Sequence, residues 1–285
     1  MKSEHIIVVG SSRGIGASIA KSIYDFTNYK LLLCSRKTYE FKNNYSSNFL
    51  KSKRILVKTL DISCEEKVSN LLKFIIKKKI RIKGLINCAG DVGIGGKITK
   101  IRTKDWDKTI KINLYGTFFL YKYFTEYLVK RNTKTFLLNF SGGGGTGPFA
   151  YLDSYAVSKV AINRLCENIS EEYINSDFIT FSISPGSINT DMFYDFAKQY
   201  KNLGPKLNLE INDRLNKGGA DIEKPSRLIL FFIKNINKLD HLSGRIISAQ
   251  FDNYNKLLKN KKKIINTDLL KLRRVDKKII KTKIL

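Results

Sequence analysis

The feature that most constrains this fold is a glycine-rich turn between an apolar strand and a helical pattern near the start of the chain. Residues 5–9 are apolar, the turn carries Gly10, Gly14 and Gly16, and helical periodicity runs over residues 17–26. Glycines let a backbone approach a pyrophosphate, and the N-terminus of a helix offers free N–H donors. The context therefore predicts a phosphate-binding turn, although its spacing differs from the commoner Gly-x-Gly-x-x-Gly.

The rest of the chain repeats this alternation of strand and helix. Helical patterns separate further apolar runs, which cover residues 31–36, 55–60, 83–87, 135–140, 178–184 and 245–248. Such alternation is typical of a parallel sheet with helices on both faces. We therefore predict an α/β fold, a Rossmann-type doubly wound parallel sheet of about seven strands.

Turn and cap residues predict several element boundaries. A capping box at 63–66 opens one helix, Asp153 or Ser154 caps another, and Pro225 suits the first turn of a third. Residues 191–220 are polar and lack clear periodicity, which predicts an irregular lid over the substrate.

Size and hydropathy indicate one domain. The chain has 285 residues and is 42% hydrophobic, enough for one substantial core. We predict a single domain over residues 1–250, with the lid inside it, and a basic C-terminal extension at 251–285. That extension is interpreted as a docked helix, a subunit contact or a frayed appendage. No apolar run approaches the roughly 20 residues that span a bilayer.

Charge and cysteine usage exclude other classes of protein. The net charge is +27, but the lysines are spread along the chain without a basic stripe that carries interleaved aromatics. We therefore expect no nucleic-acid and no membrane partner. The four cysteines are scattered without metal-ligand spacing, and the first residues lack a signal-peptide core. These features predict a cytoplasmic protein with reduced thiols and no bound metal.

A second motif joins a strand to a helix through a run of glycines. The strand at 135–140 is followed by glycines 142–145 and then by a helical pattern that contains Tyr155 and Lys159. Four residues apart, the two side chains share one helix face, and a lysine cation there would lower the tyrosine pKa. Such a tyrosine can exchange a proton with a substrate oxygen. The alternative is a surface pair on an ordinary helix.

Two further positions indicate a nucleotide site. Ser35 and Arg36 end the second strand, and Arg13 lies in the first turn. Arginine at these places suits a ribose 2′-phosphate, whereas an acid would suit the 2′-hydroxyl, so NADP(H) is predicted over NAD(H). The alternative is a pair of ordinary surface arginines.

Asn113 lies in the predicted helix 106–130. Asparagine is disfavoured inside helices, so a buried Asn113 needs a hydrogen-bond partner or a functional role; the alternative is an exposed side chain.

Together these motifs resemble the classical short-chain dehydrogenase/reductase family over roughly residues 5–250. The turn at 10–16 matches the family's Gly-x-x-x-Gly-x-Gly, and Asp61 matches the acid that meets the adenine. Residues 87–90 resemble its Asn-Asn-Ala-Gly. The resemblance implies that these residues bind the cofactor: Gly10, Ser12, Arg13, Gly14, Ile15, Gly16, Ser35, Arg36, Asp61, Ile62, Asn87, Ala89, Gly90, Tyr155, Lys159, Pro185, Gly186, Ile188 and Thr190.

The resemblance also implies the catalytic residues. Tyr155 and Lys159 match the catalytic pair, and Asn113 matches the helix asparagine that holds a proton-relay water. The family's serine, thirteen residues before the tyrosine, is replaced by Gly142. Loss of one such donor costs about 10²–10³ in rate. Three accounts stay open: Ser141 or Thr146 reaches the site, backbone N–H groups of the glycine run donate, or chemistry was lost.

The resemblance implies an NADP(H)-dependent oxidoreductase that moves a hydride between nicotinamide and a carbonyl or secondary alcohol, with a sugar derivative as one substrate class. The alternatives are a 3-oxoacyl thioester reductase and a catalytically impaired NADP(H)-binding sensor or scaffold. Family members form homodimers or homotetramers through the helices that correspond to those of Asn113 and Tyr155, so an oligomer is expected.

Overall fold

The sheet has seven parallel strands in the order β3-β2-β1-β4-β5-β6-β7. A computed structural model describes residues 4–199 and 203–274 of the chain. The strands are β1 His5–Val9, β2 Lys30–Ser35, β3 Ile55–Thr59, β4 Ile82–Asn87, β5 Thr135–Phe140, β6 Phe178–Ser184 and β7 Ile246–Ser248. The predicted seven-stranded, doubly wound parallel sheet is therefore confirmed.

Helices cover both faces of the sheet. They are α1 Gly14–Phe26, α2 Phe41–Asn44, α3 Ser47–Lys51, α4 Glu65–Lys77, α5 Thr103–Ile110, α6 Gly116–Val129, α7 Asp153–Glu172, α8 Asp191–Gln199, α9 Pro205–Lys217, α10 Glu223–Asn235, α11 Tyr254–Lys259 and α12 Lys261–Ile265. Among the described residues, no helix is both long and apolar enough to cross a bilayer.

The strands read as continuous apolar runs because both of their faces are buried. Ile6 and Val8 of β1 pack into the core layer that contains α1 and α10. Ile7 and Val9, the alternate positions, pack into the layer that contains α4 and α6. Side chains of successive strand residues point to opposite faces, so one strand serves both layers.

The strand order reverses between β1 and β4, and this reversal positions the site. At such a switch point the connections from neighbouring strands leave in opposite directions and open a crevice at the carboxyl edge of the sheet. The turn after β1 and the turn after β4 meet there, since Cys88 donates its N–H to the Val9 carbonyl at 2.9 Å.

Two predicted caps are wrong. Helix α4 begins at Glu65, and its cap Cys64 accepts no side-chain bond. Ser63 instead bonds Asp61 Oδ1 through its amide at 3.0 Å and its hydroxyl at 2.7 Å. Asp61 thus forms a local turn with the residues that a capping box would use. Helix α7 begins at Asp153 behind Leu152, again without a side-chain cap.

The segment 191–220 is not irregular as predicted. It contains α8 and α9, and we call the part from 191 to 217 the lid; residues 200–202 of this segment lie outside the described residues. Apolar side chains on one side of both helices form a separate cluster with Leu152 and with Leu203, which precedes α9. The helix residues are Phe193, Phe196, Leu207 and Ile211. The polar residues that masked this periodicity cover the outer face.

The basic extension is docked where the structure describes it. Leu257 of α11 and Ile264 of α12 are buried in the core layer of α1 and α10. Buried Arg245 donates to the carbonyls of Ile264, Thr267 and Leu269. The extension up to residue 274 thus packs as the docked-helix alternative describes, and residues 275–285 lie outside the described residues.

Candidate active site

A cleft of about 450 Å³ opens at the carboxyl edge of the sheet, at the switch point. Most of the predicted cofactor residues line it: Gly10, Ser12, Arg13, Gly14, Ile15, Gly16, Ser35, Arg36, Asp61, Ile62, Ala89, Gly90 and Thr190. The cleft thus brings together the first glycine turn, the ends of β2 and β3, and the start of the lid.

The first glycine turn has the close backbone approach that a dinucleotide needs. Gly10 has φ +73°, and a Cβ there would lie 2.6 Å from the Ala89 amide nitrogen. A Cβ on Gly16 would lie 2.3 Å from the Gly10 carbonyl oxygen. Only glycine fits both places, and the free N–H groups of α1 begin beside them. The residues present therefore fit a nicotinamide dinucleotide, with its pyrophosphate against this turn.

The end of the cleft near β2 carries mixed charge. Arg13 lies 3.3 Å from Asp195 and 4.0 Å from Asp191 of the lid, whereas exposed Arg36 makes no ion pair with any described residue. Ser35 donates to Ser12, and Ser12 donates to Glu40 at 3.3 Å. Sequence reasoning missed Glu40 and Lys37, which also line the cleft, because nothing in the motif marks the residues after β2.

Four other predicted cofactor residues, Asn87, Pro185, Gly186 and Ile188, do not line the cleft. Asn87 is buried and accepts the Ala89 N–H, which sets the turn after β4. The Pro185 carbonyl accepts a hydrogen bond from Gln250 at 2.7 Å. Gly186 has φ +89°, and a Cβ at this position would lie 2.4 Å from the Gln250 side chain. Ile188 is buried. These side chains and the catalytic candidates are not part of the lining of the cleft.

Asn113 is buried, and it lies in one turn of π-helix between α5 and α6. Its Oδ1 accepts from the Asp91 N–H, and its Nδ2 donates to the Asp91 carbonyl, both at 2.8 Å. Nδ2 also donates to Ser158 Oγ at 3.0 Å, and Ser158 donates to the Tyr155 carbonyl. The exposed alternative is wrong, and the asparagine ties the loop after β4 to the helix of Tyr155.

Tyr155 and Lys159 lie on one face of α7, as their spacing predicts. Lys159 Nζ is 5.4 Å from the centre of the Tyr155 ring and donates to the Phe140 carbonyl at 2.9 Å. A Cβ built on Gly90 of the cleft would lie 3.7 Å from Nζ and 3.4 Å from Asn113 Oδ1. The ammonium, the asparagine and the cleft therefore meet at Gly90.

The electrostatics of this pair differ from the expectation. Burial raises the pKa of Tyr155 to about 12, and the charge of Arg214 opposes that rise. Burial lowers the pKa of Lys159 to about 8. The pKa of Tyr155 is thus raised overall rather than lowered, because desolvation of the phenolate outweighs the opposing charge of Arg214.

Gly142 lies directly against the hydroxyl of Tyr155. A Cβ there would be 2.3 Å from Tyr155 Oη and 3.1 Å from Cζ. The hydroxyl thus occupies the space that a side chain at 142 would need. The absent side chain lets Tyr155 approach the backbone of the glycine run.

Ser141 points under the glycine run. Its Oγ is buried, has no hydrogen bond among the described residues, and lies 2.3 Å from where a Cβ of Gly145 would stand. Asn163 donates to the Gly145 carbonyl at 2.9 Å on the same side. The structure therefore places Ser141 against Gly145 and Asn163. Thr146 is exposed.

Arg214 is a further residue of the site that sequence reasoning missed. It reaches from α9 of the lid to Asn189 and the Ile188 carbonyl, and its guanidinium lies 3.7 Å from the centre of the Phe193 ring. Phe193 and Tyr155 pack in the same apolar cluster. No local motif marks this arginine, since only the packing of the lid brings it to Tyr155.

Among the described residues, no group of three or more His, Cys, Asp or Glu side chains is arranged to hold a metal ion.

Comparison with known proteins agrees with this geometry. Residues 4–201 match the model of the family described as short chain dehydrogenase. The chain is 24% identical over 278 residues, 94% of each protein, to a CLA biosynthesis dehydrogenase/reductase of Lactiplantibacillus plantarum. It is 24% identical over 187 residues, 66% of this chain and 76% of the relative, to an NADPH-dependent pterin aldehyde reductase of Arabidopsis thaliana.

Solved structures share the fold. A variant of an actinorhodin polyketide ketoreductase with NADPH superimposes with a TM-score of 0.76 over 86% of this chain and 95% of that chain. The two sequences are 18% identical. At this identity the likeness supports the fold, a seven-stranded sheet with helices on both sides.

Proposed function

This chain belongs to the short-chain dehydrogenase family, and we propose that it reduces the carbonyl group of a small molecule with NADPH. The family makes it an oxidoreductase that interconverts CH–OH and C=O groups with a nicotinamide cofactor. The direction, the preference for NADPH and the substrate class are the proposal. The nicotinamide supplies the hydride when it is bound, and the protein supplies position and proton transfer.

Tyr155 is proposed as the proton donor to the carbonyl oxygen. A pKa of about 12 keeps its hydroxyl protonated at neutral pH, which suits an acid in the direction of reduction. Lys159 is proposed to hold the nicotinamide ribose, and Asn113 to order the water that links Lys159 to solvent and so returns a proton to Tyr155. Their positions near Gly90 of the cleft support these roles. Gly142 lets the hydroxyl lie close to the backbone where the family places a serine.

NADPH is proposed over NADH because Arg36 and Lys37 are exposed at the cleft end beside Ser12 and Ser35. Their charges suit a ribose 2′-phosphate. The exposed ion pair of Arg13 with Asp195 is weak, so Arg13 can also turn to that phosphate. The 2′-phosphate would displace Glu40 from Ser12 by charge repulsion.

The observation that carries the proposal is that Lys159 lies beside both the Tyr155 ring and Gly90 of the cleft, where Asn113 also lies. The test is Tyr155→Phe, assayed by NADPH oxidation with a panel of ketones, keto-sugars and 3-oxoacyl thioesters. We expect turnover to fall by about 10²–10⁴-fold with NADPH affinity retained. An active variant would refute the role of Tyr155.

The contact of Gly142 with Tyr155 also favours a second candidate, a cofactor-binding sensor or scaffold without catalysis. In that case NADPH binds tightly and no member of the panel is reduced by the unaltered protein. Measuring NADPH binding and then NADPH oxidation on the same sample therefore distinguishes the two functions.

We further propose a homo-oligomer that uses the helices of the site. Tyr115 and Phe118 on one side and Val157 and Val160 of α7 on the other are large apolar side chains with 41–50% exposure. Covering them against a second copy would bury apolar area without moving the cleft. Light scattering after gel filtration tests this, and a monomer at assay concentration would contradict it.

A further inference from the structure

Arg214 of the lid is preorganised by three contacts. Its Nε donates to Asn189 Oδ1 at 3.1 Å, and Nη2 donates to the Ile188 carbonyl at 3.0 Å. Its guanidinium lies over the ring of Phe193, 3.7 Å from the centre. Asn189 in turn donates to the Arg214 carbonyl at 2.9 Å. The guanidinium plane is thus held in one orientation before any ligand binds.

This orientation places a positive charge beside the apolar cluster that packs against Tyr155. Phe193, Phe149 and Tyr151 pack in the same cluster as Tyr155. Arg214 is also the cation whose charge acts on the pKa of Tyr155. An apolar wall with a fixed guanidinium suits a ligand that has an apolar body and an anionic end.

The charge of Arg214 has no counter-ion in residues 4–199 and 203–274. No carboxylate there lies within the 4.0 Å of an ion pair, and Glu210 acts on Arg214 only from farther away. Burial accordingly lowers the pKa of Arg214. By contrast, Arg227 and Arg273 each contact two carboxylates. A half-buried cation without a carboxylate in contact is costly, so an anion brought by a ligand would be bound favourably beside it.

We propose that Arg214 binds a carboxylate of the substrate, so that the preferred substrates are oxo acids whose ketone and carboxylate are joined by an apolar chain. This inference rests on the proposed reduction of a carbonyl group. Nη1 has no hydrogen bond to any described residue, so Nη1 and Nη2 can bind both carboxylate oxygens side by side. Asn189 and Phe193 are the positioning residues.

The phosphates of the cofactor are the other source of an anion. They belong at the first glycine turn, where Thr190 would lie 3.4 Å from a Cβ of Gly14. Arg214 instead bonds Ile188 and Asn189 and packs with the ring of Phe193, on the side of Tyr155. If Arg214 bound a cofactor phosphate, Arg214→Met would weaken NADPH binding. If it binds a substrate carboxylate, NADPH affinity stays unchanged, and the experiment measures this affinity.

The experiment compares straight-chain oxo acids of increasing ketone-to-carboxylate distance with their methyl esters. The unaltered protein is expected to prefer the best acid over its ester by about 10- to 100-fold in kcat/KM. Arg214→Met removes that preference, chiefly through KM, and Arg214→Lys recovers part of it. Lys206→Met, which removes an exposed charge from the same helix, leaves it intact.

A binding arm keeps the inference separate from the proposed function. Straight-chain alkanoates and the matching alkanols, which cannot be reduced, are titrated into the NADPH complex. If the unaltered protein binds alkanoates and Arg214→Met does not, the inference is supported. If in addition no oxo acid is reduced, only the proposed function fails. Equal use of acids and esters, a preference that survives in Arg214→Met, or a loss of NADPH affinity as large as the rise in KM would overturn it.

Discussion

The two glycine-rich loops of this chain, at 10–16 and at 142–145, resemble each other in composition and differ in what requires the glycines. In the first loop a Cβ would strike backbone atoms, those of Ala89 and Gly10 itself. In the second, a Cβ at Gly142 would strike the end of the Tyr155 side chain, and one at Gly145 the hydroxyl of Ser141. Backbone cannot move aside, whereas the end of a side chain can, so Gly10 and Gly16 are required by the backbone, whereas Gly142 and Gly145 are adjustable. Gly144 resembles the first pair, because its φ is +40° and a Cβ there would lie 2.8 Å from the Ala156 Cα.

Gly10→Ala should have the largest effect, because it combines φ +73° with a contact of 2.6 Å to the Ala89 amide. We expect a loss of about 2–4 kcal/mol in the free energy of unfolding and a loss of NADPH binding. Urea unfolding and a fluorescence titration with NADPH measure both. A variant with unchanged stability would break the comparison, since the first loop would then also be adjustable.

The pH dependence of stability sharpens the comparison, because Lys159 bonds the carbonyl of Phe140 just before the second loop. Burial lowers its folded-state pKa to about 8 from 10.5. Between these values the unfolded chain binds more protons, so the contribution of Lys159 to stability rises with pH.

We expect this contribution to rise by about 2 kcal/mol between pH 8 and pH 10. Below pH 8 both states are protonated, and the contribution is constant. Other lysines titrate in the same window, so the measurement is the difference in urea unfolding between the unaltered protein and Lys159→Met. A difference that does not change with pH would show that the ammonium is not desolvated.

Gly142→Ala should move the Tyr155 hydroxyl without unfolding the protein. The added methyl would lie 2.3 Å from Oη in the present position, so the ring must turn away. We expect about a tenfold fall in kcat and a loss of less than about 1 kcal/mol in stability, as displaced catalytic groups lose alignment. Steady-state kinetics and thermal unfolding are the readouts.

Gly142→Ser is the informative companion of that variant. It adds the same Cβ together with the hydroxyl that the family carries at this position. A serine variant at least as active as the unaltered protein would mean that Tyr155 and a serine fit together, and the close approach to Gly142 would not be needed for catalysis.

The smallest effect is expected at the far side of the second loop. Gly145→Ala must push Ser141 Oγ to a new rotamer, and Asn163 lies 3.0 Å from the added carbon. We expect a loss of about 1 kcal/mol. Gly147→Ala, where nothing lies within 4 Å, is the matched control and should be neutral or slightly stabilising. Equal melting temperatures for the two variants would contradict the packing described for Ser141.

Much of the fold could be predicted because its signals are local. The strands alternate in which face each residue presents, and burial on both faces makes every strand a short apolar run between turn residues. The lid escaped prediction because polar outer residues hid its apolar face. The caps at 63–66 and at Asp153 were predicted wrongly, since Asp61 competes for Ser63 and α7 begins without a side-chain cap.

The sequence alone determined the succession of strands and helices along the chain, the glycine turn and the shared face of Tyr155 and Lys159. These features depend on residues that are close together in the chain. Only the tertiary structure decided the environment of those groups. The high pKa of Tyr155, its contact with Gly142 and the unpaired charge of Arg214 arise between segments far apart in sequence. Desolvation and close contact depend on everything that surrounds a group, and no local pattern contains that information.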